Sequence, residues 1–317
     1  MASSNYPNGF MNGLTVRGVP VEIPNSGEVF WVNNSGVLAK SGVGGSNGNP
    51  GTYQKPFSTI DYAIGKCTAS RGDIIYVMPG HSETVATDGG IAMDVIGVSL
   101  IGLGSGTLRP VIILDTIAAA AVTVSAANCS ISNFEFRASF ADVTNAIDVT
   151  AAWLSVDNCE FTEEGANLNF VDYIHASSTS DNTADGLSVT NCVGTAIDAG
   201  QNSVIMTAAD IDRIIIQNNY YSSDHANTLA LFEVTSAKTV TDVLITHNYM
   251  YTGATGDVGG IANGAATDNT GIVAHNRLGH HDVATEVLVD LDGVRQFDNL
   301  GTATDTASGF ILPAIDS

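Results

Sequence analysis

The chain has 317 residues, of which 44% are hydrophobic, only 14% are charged and 33 are glycine, a mixture that suits a folded protein with many short turns and excludes bulk disorder. Eleven Lys plus Arg stand against 33 Asp plus Glu, for a net charge of −22. That field repels phosphate backbones and anionic lipid heads, and it opposes anionic polysaccharides unless divalent cations bridge the two.

No run reaches the ~18 consecutive apolar residues of a membrane span, and the opening MASSNYPNG has neither the cationic nor the apolar region of a secretory signal. These features predict a protein made soluble in a cytoplasm, with no nucleic-acid and no membrane partner. Cys67, Cys129, Cys159 and Cys192 are too few for a disulfide scaffold and lack the close pairing of a zinc site. They read as small core residues, and neither a metal nor a cofactor is expected.

In chain order, residues 1–45 show no repeat and scatter Tyr6, Phe10, Met11, Leu14, Val16, Val19 and Trp31 among Gly, Asn and Pro. Such an extended arm cannot fold alone. It either wraps its own body or docks on a partner lattice, with Tyr6, Phe10, Met11, Leu14 and Arg17 as candidate contacts. Residues 46–72 are a lead-in segment and capping helix: in PFSTIDYAIGKC, Ser58 followed by Asp61 predicts a capping box. Ile60, Ala63, Ile64 and Cys67 share one helical face that would plug the end of a solenoid.

Residues 73–301 repeat. SISNFEF at Asn133, SVDNCEF at Asn158, SVTNCVG at Asn191, IIQNNYY at Asn218, ITHNYMY at Asn248 and VAHNRLG at Asn276 recur at roughly 28-residue intervals. Apolar residues four and two positions before each anchor, such as Leu154 and Val156, alternate as in a strand. Parity shifts after the anchor, so Phe136, Phe161, Tyr221 and Tyr251 are predicted to point inward around a corner. No unit carries a 3.6-residue stripe, and a leucine-rich repeat needs a shorter, stricter period. The remaining fold is an all-β, right-handed parallel β-helix solenoid with an N-terminal capping α-helix and an extended N-terminal arm. Its inward asparagines Asn133, Asn158, Asn191, Asn218, Asn248 and Asn276 would stack as an amide ladder at the ~4.8 Å rung spacing. Residues 302–317, with GFILPAIDS, form a C-terminal tail or cap.

The run GNPGTYQKPFSTIDYAIGKCTASRGDIIYVMPGHSET (48–84) resembles the opening module of parallel β-helix proteins, and the Asn repeats extend that likeness over nearly all of the chain. YPNGFMNGLTVRGVPV (6–21) is similar to leaders of β-helix proteins of tailed bacteriophages. That resemblance implies a tailspike-like fold in a homotrimer that decorates or cements the phage head, resting on the major capsid protein at the virion surface.

Chemical readings are weaker than structural ones. Glu135 and Glu160 occupy equivalent outward positions on adjacent coils, with Asp157 nearby, and a carboxylate pair at ~5–10 Å is what glycosidases use. Nothing in the sequence predicts the burial that would raise one pKa. The WIDH-like element of pectate-lyase-like helices is absent, and GHHD (279–282) holds only part of a polygalacturonase-like set. His247, His275, His280, His281 and Asp282 lack ligand spacing and read as surface residues. His81 and Glu83 in PGHSET read as cap geometry, and Cys159 and Cys192 as inert packing. The outward column Glu135, Glu160, Val193, Tyr220, Met250, Leu278 turns from acidic to apolar, which makes Val193, Tyr220, Met250 and Leu278 a candidate subunit interface. No catalytic residue is assigned. The leading expectation is a structural capsid decoration protein; the alternative is a tailspike-type polysaccharide depolymerase or a non-catalytic binder of host surface glycans.

Overall fold

The computed structural model describes residues 14–16, 19–21, 27–35, 44–165, 167–197, 203–223, 230–235, 238–252, 260–263, 268–280 and 289–303. Three parallel sheets run along the described body, with ten, nine and eight strands. The first runs from Val29–Val32 through Ile74–Val77 and Ser155–Asp157 to Arg295–Phe297. The second runs from Ser82–Val85 through Glu160–Glu163 to Leu300–Ala303. The third runs from Ile91–Met93 through Phe170–Ala176 to Val289–Asp290. Each complete turn of chain from Ile74 to Asp290 gives one strand to each sheet, so the alternation seen in sequence becomes stacked inner columns. The expected parallel β-helix is present.

Register explains the core. Ile131, Val156, Val189, Ile216 and Ile245 stack inside the first sheet, and Ile147, Ile174, Ile205 and Phe232 stack inside the third. In the second sheet the inner column reads Phe136, Phe161, Gly194, Tyr221, Met250, Leu278. Phe136 and Phe161 stack at 5.4 Å, Phe161 and Tyr173 at 4.7 Å, and Tyr173 meets Tyr221 at 5.8 Å. Gly194 makes that crossing possible, since a Cβ there would lie 2.6 Å from Tyr173 and 2.8 Å from Tyr221. Burying each ring contributes roughly 2–3 kcal/mol of apolar transfer.

The N-terminal end departs from the sequence reading in two ways. Val29–Val32, placed in the arm by the 45-residue boundary, pairs in parallel with Ile74–Val77 and buries Phe30 and Val32. A single strand ahead of the cap has no repeat to reveal it. The helix Ile60–Ile64 buries Ile60, Ala63 and Ile64 as expected, but the capping box does not form. Ser58 gives its N–H and O–H to Asn47 Oδ1, and the Ile60 N–H goes to Glu83 Oε2 at 2.9 Å. Asp61 is drawn away to the Ala92 N–H. Tyr6, Phe10, Met11 and Arg17 lie outside the described residues, whereas Leu14 opens a short strand, Leu14–Val16, antiparallel to Val19–Val21. The tail 304–317 also lies outside them.

Candidate functional site

The corner joining the first and second sheets carries the repeat's signature and needs one left-handed residue per turn. Asn133, Asn158, Asn191, Asn218, His247, His275 and Asp298 fill it, with φ between 52° and 62°. Asn, Asp and His tolerate that region better than other non-glycine residues. Asn158, Asn191 and Asn218 are exposed there, and Asn133 is half-buried. Asn158 Nδ2 donates to Asn133 Oδ1, and Asn191 Nδ2 donates to Asp157 Oδ1, so Asp157 is tied to the turn below rather than free.

The inward ladder is therefore a different column, one residue on: Phe134, Cys159, Cys192, Asn219, Asn248, Asn276, Asn299, all buried. The six anchors mixed two columns. Asn133, Asn158, Asn191 and Asn218 belong outside; only Asn248 and Asn276 belong to the inner ladder, and Asn219 and Asn299 complete it. The doublet Asn218–Asn219 hid the one-residue slip, because both columns carry asparagine there. A signal existed in the residues preceding Asn248, Asn276 and Asn299: His247, His275 and Asp298 are all good left-handed formers. Inside, each amide is satisfied on both sides. Asn248 Nδ2 donates to Ile216 O and Asn276 Oδ1, both at 2.9 Å, while Asn248 Oδ1 accepts from the Asn219 N–H and Asn219 Nδ2.

The same slip corrects the outward column. It reads Glu135, Glu160, Val193, Tyr220, Tyr249, Arg277, Leu300. Val193 and Tyr220 are exposed, at 43% and 48%, but Met250 and Leu278 are buried, so they cannot line a surface. Tyr251 pairs with Ser222 on the outward parity and is half-buried rather than inward.

Upstream, the column is closed by ion pairs. Glu135 is held by Arg137 at 2.6 Å and accepts the Thr162 hydroxyl; Glu160 is held by Arg109 at 2.8 Å. Each carboxylate is thus held by a guanidinium of this chain. His81 is fully buried: its Nδ1 accepts the Asn34 N–H, so Nε2–H donates to Glu83 Oε2. That chain ends on the capping helix, as its cap role predicts.

Downstream, the column opens into a groove of about 460 Å³. Its wall is built by stacking: Tyr220 and Tyr249 are parallel at 4.6 Å, and His247 and His275 lie 5.0 Å apart on the corner. Phe297 meets His275 edge-on at 5.4 Å, and Asp298 holds His275 Nδ1 at 2.7 Å. Arg277 and Leu300 continue the floor. The groove joins two tyrosine rings, stacked on each other, to a guanidinium, two imidazoles and one carboxylate. His281 and Asp282 lie outside the described residues, and these show no cluster of metal-ligating side chains.

A second constellation, which no motif announces, lies on the third sheet. Ser203 Oγ donates to Asp172 Oδ1 at 2.6 Å, and His175 Nδ1 stands 3.5 Å from Asp172 Oδ2. Burial pushes Asp172 above the usual carboxylate range, and burial together with the Asp172 charge pushes Glu233 up. The hydroxyl meets the carboxylate and not the imidazole, so the order is wrong for an activated nucleophile. The buried Cys192 thiol is pushed well up, as is half-buried Cys67, to about 12, both mainly by burial; neither is a nucleophile.

No family model and no curated protein matches the chain. Among solved structures, a rhamnogalacturonan lyase matches 86% of this chain and 87% of its own, at 13% sequence identity and a TM-score of 0.41.

Proposed function

We propose that this chain is a β-helix protein that binds glycans without cleaving them, and that the corner groove holds the sugar. The observation that carries the reading is the exposed, parallel pair Tyr220 and Tyr249 beside open polar groups. The outer face of the stacked pair, on the Tyr249 side toward Arg277, can bury the apolar side of a pyranose, and neighbouring imidazole and guanidinium donors orient its hydroxyls. This favours the glycan-binding alternative over pure capsid decoration. Display on a virion, assembly as a homotrimer and contact with a major capsid protein through Tyr6, Phe10, Met11, Leu14 and Arg17 belong to the same proposal and rest on the resemblance of the leader.

Binding is tested by affinity electrophoresis of the full chain through gels cast with host surface polysaccharide. Wild-type protein is expected to be retarded, and the Tyr220→Ala, Tyr249→Ala double variant to migrate freely with an unchanged circular dichroism spectrum. Equal retardation of the two proteins, or none for either, sinks the reading.

A further inference from the structure

We propose, resting on the glycan reading of the groove, that its ligand is an anionic sugar whose carboxylate is gripped by Arg277. Arg277 is exposed in the outward column, paired in register with Tyr249 above and Leu300 below. Among the described residues its guanidinium takes part in no ion pair or side-chain hydrogen bond. Arg295, exposed at the end of the first sheet, shares that state. Arg71, Arg109 and Arg137 are each held by a carboxylate of this chain, and Arg213 lies over the Trp153 ring. The groove even contains a carboxylate, Asp298, but it is turned onto His275. Arg277 is thus left open where an acidic protein had means to neutralise it.

The geometry suits a uronic acid. A sugar stacked on Tyr249 presents its ring substituents to the next rung, about 4.8 Å along the solenoid, which is the rung that carries Arg277. The planar guanidinium fork matches a carboxylate with two parallel hydrogen bonds, which a neutral hydroxymethyl group cannot accept as well. The net charge of −22 opposes the approach of a polyanion. At physiological ionic strength, however, that field is screened beyond ~8 Å, and the nearest charge decides.

The test is calorimetric titration at physiological salt with a hexameric uronate oligosaccharide and with its carboxyl-reduced, neutral counterpart. Wild-type protein is expected to prefer the uronate by about ten- to a hundredfold, the worth of a charged hydrogen-bond pair. Arg277→Gln should erase the preference, at a smaller cost to the neutral affinity because the guanidinium also orients hydroxyls, while Arg277→Lys keeps part of it. Equal wild-type affinities for the two sugars overturn the proposal and leave the groove reading intact. A preference that survives in Arg277→Gln overturns it too, by giving the carboxylate to another group. No binding of either sugar removes both readings.

Discussion

Upstream of Asn219 the inner column of the corner is Phe134, Cys159 and Cys192, and downstream it is Asn219, Asn248, Asn276 and Asn299. The outer column changes at almost the same turn, from Glu135 and Glu160 latched by arginines to the exposed Tyr220, Tyr249 and Arg277. Upstream turns are held by the backbone ladders and by apolar packing, with Arg109–Glu160 crossing turns outside while Arg137 holds Glu135 within its own strand. Downstream, the amide ladder adds side-chain bonds between turns, as Asn219, Asn248 and Asn276 each bond the turn above and the turn below within 3.0 Å. Downstream, registration is thus moved inside the wall. The outer side chains are released from holding the turns together and left free for a ligand.

Removing one rung of the ladder gives the largest effect. Asn248→Ala strips the acceptor from the Asn219 N–H and Asn219 Nδ2 and the donor from Ile216 O. Buried groups left unsatisfied should cost about 2–4 kcal/mol in sum. Asn158→Ala, at an exposed left-handed corner, loses one side-chain bond and adds backbone strain, for about 1 kcal/mol. Thermal melts at one heating rate rank the two. Equal losses would mean that the amides do not fasten the downstream turns.

Gly194→Ala attacks the boundary between the halves. Its Cβ would press on Tyr173 and Tyr221, both fully buried, where the ring stack passes from one region to the other. Overpacking there should cost about 1–3 kcal/mol. Small-angle scattering and melts would show whether the downstream turns loosen separately.

The contrast between the halves was only partly legible in the sequence. The solenoid was legible because apolar alternation and a recurring asparagine are imposed turn by turn, and Phe136, Phe161 and Tyr221 point inward as that parity requires. The strand Val29–Val32 was not, since its pairing with Ile74–Val77 leaves no second copy to compare. The groove was half legible: Tyr220 was read as outward, but the slip at Asn218–Asn219 put Met250 where Tyr249 stands and Leu278 where Arg277 stands. Two adjacent columns that accept the same residue type cannot be told apart by that residue. The third-sheet cluster had no local signal at all, because Asp172, Ser203 and Glu233 come from three successive strands of that sheet.

That cluster gives a pH test on the face away from the corner. Asp172 and Glu233 bind their protons more tightly in the folded chain than in the unfolded one. Their contribution is fully present below the unfolded carboxylate value, near pH ~4, and is lost as pH rises through the raised folded values. The wild-type melting temperature should therefore fall as pH rises above the unfolded carboxylate value, near pH ~4. Asp172→Asn, which keeps an acceptor for Ser203, and Glu233→Gln should flatten the fall. Wild-type stability that rises across this window would mean that His175 holds Asp172 charged.

The smallest effect is expected from the upstream ion pairs. Glu135→Gln and Glu160→Gln together release Arg109 and leave Arg137 to Glu164, each pair having one more open member, Glu160 at 43% and Arg137 at 32% side-chain exposure, and one more covered, Arg109 at 17% and Glu135 at 15%. Pairs with one member open to solvent contribute about 0–1 kcal/mol each, and salt reduces that further. Melts of the double variant at low and high salt should converge on wild type as salt rises. Retardation in polysaccharide gels should not change, because the groove lies on later turns. Were the double variant instead to abolish a wild-type ability to shorten the polysaccharide, the division between the halves would be reversed: the latched carboxylates would carry the chemistry and the aromatic groove would only guide the chain toward them.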